Sequence, residues 1–372
     1  MKVQITNGMF MALIINMVYA KAIGMTQGIM AREAGSDMWI STMFATLQGC
    51  AMMFLTVLII RRSPELDYME QTQVMLGKWA GKLVALVLFV FFAGAYSSIM
   101  ITYVYHLMDY FLPEVPILVF ILIALFIGGY GIVFGIEVIG RMALVGVFFI
   151  LVLNILILAG SLLEFDVQEL LPVLESGFWN TVWTSRHNDT DWAMATLMAA
   201  MILPTVKNKK TWANSSVAGI AMGGLMVLQW PILETAVLSP EVTAQYIVAC
   251  MQLARSAHIG MFIHRYEMIM IAFFAISILV QISMCLFCAC HSAAKIFGLQ
   301  DYRPMIIPVG IVLSGLGYWV VLDHNRAMDL LENTWVAIAL PIAFGLPLLL
   351  WALGFLFEKK LLQVSSTNNE KG

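Results

Sequence analysis

The sequence predicts an all-α integral membrane fold of ten transmembrane helices, arranged as a five-plus-five inverted repeat with helices one and six discontinuous. Three observations lead there. The 372 residues are 61% hydrophobic and 12% charged, with a mean hydropathy of +0.88, which leaves too little polar surface for a domain facing water. Apolar runs of about 20 residues, the length that crosses the hydrocarbon core as a helix, recur along the chain. They fall into two groups of five, so the second group enters the membrane in the opposite direction to the first.

The first group comprises runs near 8–30, 38–60, 83–111, 115–134 and 139–163. An amphipathic linker from Glu164 to Ser185 follows, then runs near 188–206, 211–234, 265–294, 305–321 and 334–357. One permease-like domain, 1–372, is therefore expected, with repeats at 8–163 and 188–357 and a polar tail at 358–372. The run from Met9 to Met30 is too long for a signal-peptide core and has no small-residue cleavage site, so it is expected to stay as a span. With the N-terminus inside, fourteen of the twenty Lys and Arg fall in cytoplasmic loops and five outside, while Lys21 lies within the first span. That excess places both termini in the cytoplasm.

Net charge −3 and a pI near 6.1, with basic residues scattered between apolar runs, give no surface for nucleic acid. Cys285, Cys288, Cys290 and His291 spread around one helix rather than converging as four ligands, so no metal site is expected. No cofactor or catalytic motif is visible, and the chain reads as a binding or transport protein, not an enzyme.

The polar residues inside the spans define the candidate site. Span one carries Asn16, Tyr19, Lys21, Gly24, Thr26 and Gln27. An ammonium at this depth costs about 3 kcal/mol even on lenient insertion scales, so Lys21 is expected to face the bundle interior and to have a partner. Two readings stand open for it: a contact for an anionic ligand group, or the space of a coupling cation, against an ion pair that only locks helices together. Gly24 and Gly28 also fit a helix-packing face. Span six begins with SRHNDTD and is poor in strongly apolar residues. It offers Asp191 and Thr196, while Asp189 reads as a solvated helix start. Ser98 and Thr102 of span three and Gln281 of span eight complete the set of expected ligand contacts, since a buried amide needs partners.

Five strings carry a family resemblance: AREAGSDMWIS (Ala31–Ser41), LGKWAGKL (Leu76–Leu83), LPVLESG (Leu171–Gly177), HRYE (His264–Glu267) and KIFGL (Lys295–Leu299). In this order and spacing the chain resembles the spore germination permeases, the B subunits of endospore germinant receptors, within the amino acid/polyamine/organocation superfamily. The resemblance implies residence in the spore inner membrane, a small germinant such as an amino acid, and assembly with A and C subunits. It places the ligand at the interrupted stretch of span one near Tyr19–Ala22 and on span six near Ala195–Met198. Relatives carry a Gly/Ser-rich break and a later proline in span one, and a glycine and glutamate in span six. This chain has Ala20, Lys21, Ala22 and Gln27, and WAMATLM at 192–198. An amino-acid transporter with the same site, or a ligand-free scaffold, remains the competing reading.

Overall fold

The computed structural model describes residues 4–258, 266–361 and 363. His264 and Arg265, expected at the start of span eight, lie outside them.

The ten apolar runs coincide with helical segments. The first becomes α1 (Asn7–Tyr19), a 3-10 turn at Ala20–Ile23 and α2 (Gln27–Ala34). Then come α3 (Met38–Arg61), α4 (Tyr68–Leu76), α5 (Lys78–Tyr110), α6 (Ile117–Val133) and α7 (Ile136–Ser161). The linker holds the short α8 (Phe178–Thr184), and the sixth run is α9 (Arg186–Ile202). The rest are α10 (Trp212–Leu233), α11 (Pro240–Gln245), α12 (Ala249–Ser256), α13 (Tyr266–Phe297), α14 (Ile306–Val321), α15 (His324–Asp329), α16 (Trp335–Leu340) and α17 (Leu346–Leu356). The last run is continuous in space, because π-helical turns at Leu330–Thr334 and Pro341–Gly345 join α15, α16 and α17. Seven helices among the described residues are long and apolar enough to cross a membrane, and the segments at Asn7–Ile23 and Ile117–Val133 are shorter apolar helices.

α1 lies at the centre, packed against α7, α9, α10 and α13, and its side chains from Ala12 to Tyr19 are all buried. A helix that is apolar all round belongs in an interior. Ile5, just before α1, is tied to the far end of α9 by an isolated parallel bridge to Val206, with Ile5 N–H donating to Thr205 O at 3.1 Å and Lys207 N–H to Ile5 O at 3.0 Å. Asn7 Nδ2 adds bonds to Thr211 Oγ1 at 2.9 Å and Asn208 O at 3.2 Å. The start of the first repeat and the end of the first helix of the second are thereby closed together at one end of the bundle.

At the opposite end the closure is ionic. Glu33 near the end of α2 accepts from Arg186 Nη1 at 2.8 Å and Nη2 at 2.5 Å, and lies 3.1 Å from His187 Nε2. Asp37 accepts from Leu174 N–H at 2.6 Å, and from Ser176 N–H and Oγ at 2.9 Å each. The strings AREAGSDMWIS and LPVLESG, distant in sequence, are therefore two halves of one hydrogen-bonded cap over the end of the first helix pair. At the other end α4 starts on a capping box, Asp67 Oδ1 accepting from Glu70 N–H at 2.8 Å while Glu70 Oε2 accepts from Asp67 N–H at 3.2 Å.

Candidate functional site

The site grows out of the break between α1 and α2. The chain tightens into a 3-10 turn over Ala20–Ile23 and then becomes extended at Gly24 (φ −79°, ψ 172°) before α2 begins. Such a transition leaves carbonyls near the end of α1 without their α-helical donors. Gln281 of α13 supplies replacements, its Nε2 donating to Met17 O at 2.7 Å and Asn16 O at 3.1 Å, and Ser277 Oγ reaches Asn16 O at 3.4 Å.

The turn carries Lys21, buried with a side-chain exposure of 4%, toward the first turns of α9. Its Nζ lies 3.1 Å from Asp191 Oδ2 and also donates to the backbone carbonyl of His187. Asp191 keeps an exposure of 15%, so the pair is shielded on the lysine side and open on the carboxylate side. Thr190 Oγ1 donates to the same Asp191 oxygen at 3.4 Å.

Beside the pair is a cavity of about 30 Å³, lined by Lys21, Gly24, Met25, Thr26, Ser98, Thr102, Thr190, Asp191, Gln281, Leu331 and Trp335 among others. That is room for about two waters. Three buried polar atoms of its lining, Gln281 Oε1, Thr26 Oγ1 and Trp335 Nε1, have no hydrogen-bond partner among the described residues. Buried polar groups are normally satisfied, so three unsatisfied ones among the lining residues of a cavity that also holds an ion pair stand out. Ser98 and Thr102 reach it together because they stand one turn apart on α5.

Seven of the ten expected contacts thus line one cavity: Lys21, Gly24, Thr26, Ser98, Thr102, Asp191 and Gln281. Three do not. Asn16 is turned away from it, its Nδ2 donating to Ala12 O at 2.8 Å and Ala143 O at 2.9 Å. Tyr19 is held by Asn154 Oδ1 at 2.7 Å and by Trp230 Nε1 at 3.2 Å. Thr196 bonds back to Ala193 O at 3.1 Å, one and a half turns beyond Asp191, and lines a separate apolar crevice with Trp192 and Phe344. Asp189 is buried rather than solvated: Ser185 Oγ lies 3.4 Å away, and the Gln48 amide, with its nitrogen turned toward the carboxylate, donates to both oxygens at 2.8 and 3.0 Å.

Helix six differs from expectation in its continuity. α9 is an unbroken α-helix from Arg186 to Ile202, and only at Leu203–Thr205, with Pro204, does it tighten into a 3-10 turn. WAMATLM contains neither glycine nor proline, so nothing in it favours release of the backbone. Sequence reasoning missed Leu331 and Trp335, which wall the cavity from a π-helical turn and the helix after it. Trp335 packs so closely on α5 that a Cβ at Gly94 would fall 2.3 Å from its ring. The run WVAIAL carries no polar signature, so in the sequence it is indistinguishable from plain span.

A central helix broken beside a second helix, with a polar cavity at the break, is the fold of a multi-pass helical membrane protein built like the inverted-repeat transporters. The solved structures agree. MhsT in complex with L-phenylalanine matches with a TM-score of 0.66 at 14% identity, over 96% of this chain and 97% of that one. Mhp1, a nucleobase-cation-symport-1 family transporter in a closed conformation, matches at 0.62 and 13% identity, over 93% and 78%. The chain itself belongs to the spore germination protein family, whose spore permease model matches residues 4–316. It is 23% identical to spore germination protein YndE of Bacillus subtilis (strain 168) over 353 residues, 93% of this chain and 95% of that one. It is 20% identical to spore germination protein KB of the same organism over 345 residues, 88% of each.

Proposed function

We propose that this chain is the membrane subunit of a germinant receptor and that a small zwitterionic germinant, an amino acid, binds at the Lys21–Asp191 pair. The observation that supports it is the buried pair itself, set at a helix break beside a cavity with unsatisfied polar groups. An amino acid carries the complement of each partner. Its carboxylate takes the Lys21 ammonium, its ammonium takes Asp191, and Gln281 Oε1 is an acceptor for a further N–H. The exchange swaps one buried ion pair for two without burying net charge, which avoids the cost of an unpaired ion in the interior.

The cavity holds only about two waters as it stands, so the ligand has to part the pair and enlarge the space. Ligand binding is thereby coupled to a movement of α2 or α9, and a ligand shifts a conformational equilibrium only through such differential binding. On the N-inside topology the Glu33–Arg186 cap faces the exterior of the spore's inner membrane, where a germinant arrives, and the Ile5–Val206 closure faces the cytoplasm. A and C subunits would read the movement.

The test uses spores whose only receptor for an amino-acid panel contains this chain. Lys21→Met with Asp191→Asn removes both charges together, and the variant is expected to accumulate normally in the inner membrane yet lose its response. A normal response at normal abundance would remove the pair from the site. The likeness of fold to transporters favours a second reading, turnover of an amino acid by alternating access. Uptake of labelled amino acids by the purified chain alone in proteoliposomes decides for it and against the sensor.

A further inference from the structure

Away from the central site, at the end of the bundle that carries the chain's start, α4, the first turns of α5 and the last turn of α13 enclose a second cavity of about 220 Å³. Two of the five signature strings supply its charge: LGKWAGKL gives Lys78 and Lys82, and KIFGL gives Lys295. The site proposed for the germinant makes no use of either string.

Three lysines and one carboxylate, Glu70, line it, and the buried Asp67 behind Glu70 also acts on Lys295 while lying 3.1 Å from His291. Glu70 is already engaged, by Lys295 Nζ at 2.5 Å and by its capping bond to Asp67 N–H. Lys78 and Lys82 have no carboxylate partner among the described residues, and Lys82 Nζ stands 5.7 Å from the Trp79 ring centroid. Helix ends add to the field. α5 is 33 residues long and begins at Lys78, after Gly77, with no side chain capping its first N–H groups, so its positive end is open beside Lys78. The negative ends of α4 and α13, in contrast, are closed by Gly77 N–H on Gln73 O at 2.9 Å and Leu299 N–H on Ala294 O at 2.8 Å. Gly77 (φ 96°) and Gly298 (φ 75°) make these tight reversals possible.

Large exposed apolar residues adjoin the lining residues in sequence. Trp79 is 84% exposed, and Phe297, Leu83 and Leu76 are exposed as well. A tryptophan standing free beside lysines is placed at the headgroup level of a bilayer, and basic pockets between transmembrane helices recognise phosphate headgroups.

We propose that this pocket binds a phosphate group, with Lys78 and Lys82 as its free cationic contacts and the open start of α5 as its backbone donor. The phosphate comes either from an anionic phospholipid or from a soluble phosphate compound, and the membrane-facing tryptophan favours the lipid.

The test takes the purified full chain in detergent and measures its melting temperature and retention of phospholipid by native mass spectrometry. It is titrated with phosphatidylglycerol, with phosphatidylcholine, and separately with inorganic phosphate and pyrophosphate. Phosphatidylglycerol is expected to be retained and to raise the melting temperature where phosphatidylcholine does not. Lys78→Gln with Lys82→Gln weakens that binding on the order of tenfold or more, since each lysine near an anionic surface contributes comparably. The Lys78→Arg, Lys82→Arg variant keeps it, which separates lost charge from lost fold. A shift with pyrophosphate alone that is lost in the glutamine variant also supports the phosphate site and assigns it to a soluble ligand. Equal behaviour of the wild type and the glutamine variant toward every one of these probes overturns the proposal.

Discussion

The two helices that meet at the site solve the same problem differently. The first is interrupted: its helix tightens at Ala20, becomes extended at Gly24 and restarts at Gln27, so that backbone groups and Lys21 come to the cavity together. The other, α9, runs unbroken through Asp191 and offers the Asp191 carboxylate together with the carbonyl of His187 from its first turn. A break has to be recapped, and Gln281 and Ser277 do this for the carbonyls of Asn16 and Met17. An unbroken helix needs no such help. The comparison teaches that the two repeats need not both unwind for a polar cavity to form between them, provided one of them presents a charge the other can meet.

The largest effect that would break this comparison is loss of one charge alone. Lys21→Met leaves Asp191 buried without its counter-ion, which costs about 3–5 kcal/mol. The single variant is expected to accumulate poorly and melt early in detergent, and Asp191→Asn added to it restores abundance. If the single variant melts like the wild type, the pair carries no structural weight. Next is the wall opposite. Gly94→Ala drives a methyl to within 2.3 Å of the Trp335 ring, and overpacking of this kind costs about 1–3 kcal/mol. Because Trp335 lines the cavity, loss of germinant response is expected to exceed loss of melting temperature; the two losses in proportion would contradict its place in the wall.

The recapping of the break is tested by Gln281→Leu, which strands the carbonyls of Asn16 and Met17 at about 1–3 kcal/mol. Hydrogen exchange of residues 20–26 is expected to accelerate in this variant while α9 is unaffected. The smallest effect belongs to the continuous helix. Thr196→Val removes a hydroxyl that bonds only to its own backbone, and melting and response are expected to stay within about 0.5 kcal/mol of wild type. A marked loss of response in that variant would return Thr196 to the site.

Much of this was legible before any coordinates. Spans declare themselves through length and apolarity, and the break in the first was marked by its polar density and Gly24. Lys21 had to find a partner, because an ammonium cannot stand alone in the interior, and its partner was among the acids named. What was hidden depended on direction rather than composition. Asn16 and Tyr19 lie on the same polar stretch as Lys21, yet the α-helical turns before the break point them to α7, where Ala143 O and Asn154 wait. Asp189 and Asp191 differ by two residues, about 200° around a helix, so one faces α3 and the other the cavity. The Glu33 and Asp37 cap joins strings well over a hundred residues apart and cannot be read locally. The Asp67–Glu70 capping box could have been, since DYME carries its spacing.

The most direct measurement is a structure of the assembled receptor with an amino-acid germinant bound. The account predicts the ligand between α2 and α9, its carboxylate on Lys21 Nζ and its ammonium on Asp191, with those two side chains no longer in contact. An intact Lys21–Asp191 pair with the ligand seated elsewhere would contradict it.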